Sequence, residues 1–140
     1  MPRYALQTVL PLDFDAAKTR ITEALKGQGF GILTEIDVQK TLKAKLGAEI
    51  ERLEILGACN PPLAHSVLSI EREIALLLPC NVTLRQVEGG TQVSILDPEI
   101  MFEVTDPEIR EQISGTACDA KERLLQVLAI LRSEFSEVSQ

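Results

Sequence analysis

The stretch from residue 76 to residue 97, LLLPCNVTLRQVEGGTQVSILD, predicts the hairpin that decides the fold. Apolar and polar residues alternate on both sides of Gly89-Gly90, and this pattern is typical of half-buried strands. The two glycines supply the positive φ angles that a tight turn needs. Residues 76–87 and 91–97 are therefore predicted to be the last two strands, paired antiparallel.

Strand and helix patterns alternate upstream of this hairpin. Period-two alternation predicts strands at residues 4–10, 30–36 and 53–59. Each is followed by a helix whose predicted N-cap is a side chain that can accept a hydrogen bond from the first helical turn, namely Asp13, Asp37 and Asn60. A long closing helix is predicted from about residue 116 to residue 135.

The resulting order, β-α-β-α-β-α-β-β-α, predicts an α+β fold. We expect a two-layer sandwich in which a mixed or antiparallel five-stranded sheet carries its helices on one face. No repeat, low-complexity stretch or linker interrupts the sequence, so residues 1–140 are predicted to form a single domain. The other face of the sheet, or one of its edges, would suit a homodimer.

The composition narrows the classes of function. The 140 residues carry 14 Lys and Arg against 21 Asp and Glu, and 45% of them are hydrophobic. The net charge of −7 disfavours a nucleic-acid partner, and no apolar run reaches the roughly 20 residues of a membrane span. Residues 71–140 hold 13 of the acids and 6 of the bases, so the whole excess lies there. We interpret it as the solvated outer side of the closing helices.

The cysteine and histidine counts bear on compartment and metal binding. Three cysteines in a chain of ordinary core composition disfavour a disulfide scaffold, and no secretory signal begins the sequence. A cytoplasmic protein is therefore predicted. A single histidine and the absence of a Cys-x-x-Cys motif weaken a structural zinc site, which needs four ligands.

Cys59-Asn60, where the third strand meets the third helix, is the first candidate site. The dipole and the free N–H groups of a helix N-terminus favour an anion, and would favour the Cys59 thiolate. Gly57 and Ala58 leave room for a ligand or another chain. The alternative is a small buried cysteine that fills a gap in the core.

A second Cys-Asn dipeptide, Cys80-Asn81, lies in the fourth predicted strand. If the third and fourth strands are antiparallel, Cys59 and Cys80 lie at the same end of the sheet. A parallel crossover would put them at opposite ends. Both arrangements stay open.

Asp97 and Glu99 are two carboxylates in a predicted turn at the end of the fifth predicted strand. With Leu84 opposite Ile95, a ladder that continued past Asp97 would bring Glu99 towards Cys80. The alternative is that the two carboxylates only cap the turn that contains them.

His65 and Cys118 are the remaining candidates. His65 lies six residues after Cys59, in the third predicted helix, and could act as a ligand or a general base. A surface position is the alternative for His65. Cys118 is expected in the core, at the start of the last helix.

Four stretches of the sequence resemble the domain-of-unknown-function family 302. They are residues 29–37 (GFGILTEID), 55–61 (ILGACNP), 77–82 (LLPCNV) and 97–98 (DP). The resemblance covers nearly the whole chain and implies a compact prokaryotic α+β domain seen as a dimer, with no activity or cofactor assigned. Because the family pattern carries both Cys59 and Cys80, it also implies that the two belong to one site.

Two functions are compatible with these observations. The first is a non-catalytic, thiol-centred binding module, in which Cys59 and Cys80 bind a soft metal ion or a sulfur or redox species. Its other candidate residues are Asn60, His65, Asn81, Asp97 and Glu99. The second is a dimeric small-molecule-binding or regulatory domain with structural, buried cysteines. An enzyme with Cys59 as nucleophile and His65 as base is a third hypothesis.

Overall fold

A computed structural model describes residues 2–136 and contains the predicted alternation of strands and helices. The strands are β1 (Ala5–Leu10), β2 (Gly31–Asp37), β3 (Leu53–Cys59), β4 (Cys80–Val87) and β5 (Gly90–Leu96). The α-helices are α1 (Phe14–Gly27), α2 (Val38–Leu46), α3 (Pro61–Ile70), α4 (Pro98–Met101) and α5 (Pro107–Ser136). Two 3₁₀ segments, Arg72–Leu77 and Phe102–Val104, follow α3 and α4. The predicted α+β class is confirmed.

The five strands form one sheet in the order β1-β5-β4-β3-β2, and every neighbouring pair is antiparallel. Strand β4 lies beside β3 although α3 and a 3₁₀ segment separate them in the sequence. The end of β3 therefore meets the start of β4, which is the first of the two arrangements that the sequence left open.

Helices α1 and α5 cover one face of the sheet and form the main core cluster with it. The α1 residues predicted to face inward, Phe14, Ala17, Ile21 and Leu25, are all buried. Asp13 begins this helix as predicted, because its Oδ1 accepts a hydrogen bond from the Ala16 N–H at 2.8 Å. From the sheet, the buried members are Leu10, Leu56, Ala58, Cys80, Val82, Leu84, Val93 and Ile95.

The opposite face of the sheet is largely polar where β1, β5 and β4 meet. Arg85 donates a hydrogen bond to Gln92 Oε1 at 2.7 Å, and Gln7 donates one to Ser94 Oγ at 2.9 Å. These pairs form across neighbouring strands. Because these side chains are polar, this face of the sheet can be exposed to water and does not require a protein partner to cover it.

A second, smaller core cluster lies at the end of the sheet where β3 ends and β4 begins. It consists of Val67, Ile74, Phe102, Ile113 and Ala117. Helix α5 is 30 residues long and contributes to both clusters, since its later turns supply Leu124 and Leu128 to the main one. The predicted start of this helix near residue 116 was wrong, because its buried stripe already includes Ile113 and Pro107 fits a first helical turn.

The register of the hairpin differs by two residues from the prediction. Leu84 lies opposite Val93 rather than Ile95. The two-residue turn is Glu88-Gly89 rather than the predicted Gly89-Gly90, because Gly90 already pairs with Val87 as the first residue of β5.

The predicted start of β4 at residue 76 was also wrong. Residues Arg72–Leu77 form a 3₁₀ segment, and Pro79 has no N–H to donate to a ladder. Strand β4 therefore begins at Cys80.

Strand β2 and helix α2 form the least buried part of the described chain. None of residues 31–50 is buried, and the side chains of Leu33 and Leu46 are 67% and 75% exposed. Asp37 still caps α2, since its Oδ1 accepts a hydrogen bond from the Lys40 N–H at 2.9 Å. Strand β2 is therefore held in place by its backbone hydrogen bonds to β3 more than by burial of its side chains.

Candidate functional site

A cavity of about 310 Å³ lies where the two core clusters meet. Its wall includes Ala58 and Cys80 from the main cluster and Val67 and Phe102 from the smaller one. Further apolar side chains come from β2, α3, α4 and α5 and from the residue before β2: Leu33, Leu63, Met101, Ala120 and Phe30. The elements at this end of the sheet therefore leave an apolar space between them.

The structure brings the two candidate cysteines, Cys59 and Cys80, to this cavity. Cys80 pairs with Ala58 in the β3–β4 ladder, so Cys59 lies one residue further along at the same end. Because neighbouring residues in a strand point to opposite faces, the two cysteines approach the cavity from different faces of the sheet. Both thiols are free.

The Cys80 thiol is held in its neutral form. The residue is buried, and its Sγ donates a hydrogen bond to the Leu96 carbonyl at 3.6 Å. Burial, and secondly the negative charge of Asp97, raise the pKa of Cys80 from 9.0 to about 12. A neutral thiol is a poor nucleophile and a poor metal ligand, so Cys80 offers the cavity polarisable sulfur rather than charge.

Asp97 and Glu99 form a cluster with Lys121 beside the cavity. Asp97 is 4% exposed, and its Oδ2 lies 3.0 Å from Lys121 Nζ, while Glu99 Oε1 lies 3.3 Å from the same atom. The hydrogen bond to Asp97 is the main reason that the pKa of Lys121 is raised. The expectation that a continued ladder brings Glu99 to Cys80 was wrong, because β5 ends at residue 96 and α4 follows at residue 98.

Asn60 caps α3 from inside the protein. It is 7% exposed, and its Oδ1 accepts a hydrogen bond from the Leu63 N–H at 3.2 Å. Pro61 and Pro62 have no N–H, so the first turn of this helix has no free N–H to offer a Cys59 thiolate. The expectation that free N–H groups at this helix start favour the Cys59 thiolate was therefore wrong.

The remaining candidates lie away from the cavity wall. His65 is exposed on α3, and Asn81 is exposed on the open face of the sheet, opposite Gly57. Cys118 was expected in the core but is exposed, because Ala117 occupies the buried position of that turn. The charge of Glu122, whose Oε1 lies 3.8 Å from Cys118 Sγ, raises the pKa of this thiol.

No group of three or more His, Cys, Asp and Glu side chains within residues 2–136 is arranged to hold a metal ion. Over the same residues, no helix has both the length and the apolar content to cross a bilayer. Sequence reasoning missed most of the cavity wall, including Phe30, Val67, Met101 and Phe102. These side chains come from separate segments and carry no local pattern that marks them as lining rather than filling a space.

Comparisons with known proteins agree with the architecture. The sequence matches the family described as "Domain of unknown function DUF302" over residues 6–131. It is 27% identical to an uncharacterized conserved DUF302 protein from Bacillus stearothermophilus, whose crystal structure superposes with a TM-score of 0.79. That match covers 91% of this chain and 98% of the Bacillus chain. No curated protein matches the sequence. The resemblance of the Cys-Asn-Pro and Leu-Pro-Cys motifs is thus confirmed, and the chain belongs to the DUF302 family.

Proposed function

We propose that this protein is a non-catalytic binding module that takes an uncharged, largely apolar small molecule into the cavity between its two core clusters. The proposal rests on the volume of this cavity, about 310 Å³, and on the almost wholly apolar side chains that line it. Ligand pockets typically enclose about 300–1,000 Å³. An engineered apolar cavity of roughly 150 Å³ in another protein holds benzene. A molecule with about two aromatic rings therefore matches the available space.

The chemistry of the wall favours an aromatic ligand. Phe30 and Phe102 supply ring faces and edges, and Cys59, Cys80 and Met101 supply polarisable sulfur. Because Cys80 is neutral, it adds no charge to the wall. An ionic ligand would lose its hydration here without a charged partner on the wall, so the proposal is limited to uncharged molecules.

A fluorescent probe can test this proposal. 1-Aminonaphthalene is uncharged, has two aromatic rings and emits at shorter wavelength in apolar surroundings, so its emission should shift and saturate as the protein is titrated. Replacing Ala64, which lines the cavity on α3, by leucine should weaken binding by at least about fivefold, because the added carbons occupy ligand space. The same substitution at Ala44, exposed on α2, is the matched control and should leave binding unchanged.

Cysteine alkylation gives an independent readout. A saturating apolar ligand should slow the alkylation of Cys59, which lines the cavity, and leave that of the exposed Cys118 unchanged. Peptide mapping by mass spectrometry separates the two sites. Absence of probe binding, or equal binding by the Ala64 and Ala44 variants, would contradict the proposal.

A thiol-centred site for a soft metal ion or a sulfur or redox species is the second candidate function. The presence of both Cys59 and Cys80 among the residues that line the cavity favours it. Their positions on different faces of the sheet and the raised pKa of Cys80 disfavour a site with two thiolate ligands. Titration with copper(I) or zinc in a Cys118→Ser background tests it. Binding that disappears in both Cys59→Ser and Cys80→Ser would support this candidate, and binding that survives either change would exclude a two-thiol site.

We also retain the homodimer as a proposal. It is supported by the absence of buried residues from 31 to 50, which include the edge strand β2, and by the exposed Leu33 and Leu46. Sedimentation velocity over a range of concentrations measures the oligomeric state. A mass of one chain at all concentrations would refute it.

A further inference from the structure

A groove of about 220 Å³, which we call the acidic groove, lies beside the smaller core cluster, at the end of the sheet where β4 begins. It is formed by the two 3₁₀ segments and the residues next to them: Glu71, Glu73, Ile74, Leu76, Leu77, Val104, Thr105 and Asp106. Leu76 and Val104 are 82% and 73% exposed, so two large apolar side chains of one groove face water. Such a grouping indicates a surface that a partner covers.

The carboxylates of the acidic groove have no cationic partner. Glu71, Glu73 and Asp106 line the groove, and no lysine or arginine of the described residues does. Within residues 2–136 none of the three carboxylates takes part in an ion pair. The nearby Glu103, in contrast, is paired with Arg3 at 2.7 Å. The groove therefore suits a segment that combines an apolar side chain with positive charge.

Helix α2 of this same chain has the complementary chemistry. It carries three lysines and no acidic residue, although the chain as a whole has a net charge of −7. None of its residues is buried, and Leu46 lies at its exposed end. Lys43 lies one turn before Leu46 on the same side of the helix, and Lys45 adjoins it. Over the described chain Lys45 has no ion pair, and Lys43 reaches only the exposed Glu49 at 4.0 Å.

A single chain cannot bring these two surfaces together. Strand β2 begins beside Cys59, at the end of β3, and ends at Asp37, where α2 follows. Strand β4 also begins at the end of β3, since Cys80 pairs with Ala58. Helix α2 and the acidic groove therefore lie at opposite ends of the sheet, and the helix that fills the groove must come from another copy.

We propose that α2 of one copy docks in the acidic groove of a second copy, with Leu46 packed between Leu76 and Val104 and with Lys43 and Lys45 facing the carboxylates. This inference rests on the proposed homodimer and specifies its contact surfaces. An amphipathic helix can bind in an apolar groove through a few anchoring side chains, and the opposite charges fix its orientation. A two-fold dimer makes the contact twice, because each copy supplies one helix and one groove.

Charge reversal on each surface tests the inference. The helix variant carries Lys43→Glu and Lys45→Glu, and the groove variant carries Glu71→Lys and Glu73→Lys. None of the four side chains is buried and Glu71 makes no capping hydrogen bond, so both variants should fold, which circular dichroism checks. In sedimentation velocity over a range of concentrations, each variant alone should self-associate at least about tenfold more weakly than wild type, because like charges then face each other.

Mixing the two variants gives the decisive measurement. The acidic helix of one chain then meets the basic groove of the other, and the remaining helix and groove are also of opposite charge. The dissociation constant of the mixture should therefore return to within about threefold of the wild-type value. The matched control, Glu88→Lys with Glu122→Lys, makes the same change in net charge at exposed residues outside the groove. It should self-associate like wild type.

A change in the apolar contact provides a second test should a charge-reversed variant not fold. Leu76→Ser should weaken wild-type self-association at least about fivefold, because it removes apolar area that Leu46 covers. Leu125→Ser, which changes an exposed leucine of α5 outside the groove, should leave it unchanged. Equal association by these two variants would contradict the inference.

The outcomes separate this inference from the proposed homodimer. Restored association in the mixture supports docking of α2 in the acidic groove. If wild type associates but the mixture binds no more tightly than the separate variants, α2 does not dock there and the homodimer uses another surface. If wild type has the mass of one chain at all concentrations, the homodimer fails, and this inference fails with it.

Discussion

Replacing Cys80 by alanine should remove a pH dependence of stability that the wild-type protein shows in alkaline solution. The pKa of this thiol is raised from 9.0 to about 12 in the folded protein, chiefly by burial. The folded state therefore favours the protonated thiol more strongly than the unfolded state does. The resulting stabilisation is fully present below pH 9 and is lost as the pH rises towards 12.

The size of the effect follows from the shift. Each pH unit above the unfolded pKa lowers the free energy of unfolding by about 1.4 kcal/mol until the folded pKa is reached. Between pH 8 and pH 10.5 the wild type should therefore lose roughly 2 kcal/mol more than Cys80→Ala. Lysine and tyrosine side chains also titrate in this range, but they are present in both proteins and cancel in the difference.

Urea denaturation followed by circular dichroism measures the effect, and suits a chain without tryptophan. Cys118→Ala is the matched control, because water screens the charges around that exposed thiol and its loss should change the pH dependence little. The reasoning is refuted if wild type and Cys80→Ala lose the same stability between the two pH values.

Three further substitutions test the packing. Lys18→Met removes the ion pairs of Lys18 Nζ with Glu54 Oε1 at 2.8 Å and with Glu35 Oε1 at 2.6 Å. Glu54 is 5% exposed and, among residues 2–136, keeps only its ion pair with Arg52 at 3.3 Å, so the free energy of unfolding should fall by about 2 kcal/mol; an unchanged urea midpoint would contradict this. Gly115→Ala should raise the free energy of unfolding by about 0.5–1 kcal/mol, because the added methyl group meets no atom within 4 Å inside α5. The same change at Gly47, which ends α2 with φ +65°, should lower it by about 1 kcal/mol. Stability changes of equal sign at the two glycines would contradict this pair of predictions.

Much of the fold was predictable because several sequence patterns form their structure through contacts between neighbouring residues. Asp13 and Asp37 each begin a helix through a hydrogen bond that involves only neighbouring residues. The hairpin strands were likewise found from alternation alone, but their register was not. A slip of two residues keeps the same side chains facing inward, so the alternation that identifies Leu84 as a core residue does not distinguish Val93 from Ile95 as its partner.

The candidate site was predictable only in part, for a different reason. Cys59 and Cys80 drew attention because their motifs are unusual, and the antiparallel β3–β4 pair brings both to one cavity. The cavity itself depends on how far the helices stand from the end of the sheet, which no local pattern encodes. The absence of free N–H groups at α3, in contrast, was already contained in Pro61-Pro62.

The weak burial of β2 and α2 has a consequence for the kinetics of binding. Leu33, which belongs to β2, forms part of the cavity wall, and none of residues 31–50 is buried. Segments with few buried contacts open at a lower free energy than the whole protein unfolds. Local opening of β2 would widen this partly open cavity while α1, α5 and the remaining strands stay folded. The observed association rate then tells the two routes of entry apart. It levels off at high ligand concentration, at the rate of opening, if entry needs β2 to open, and it rises in proportion if ligands enter through the existing mouth.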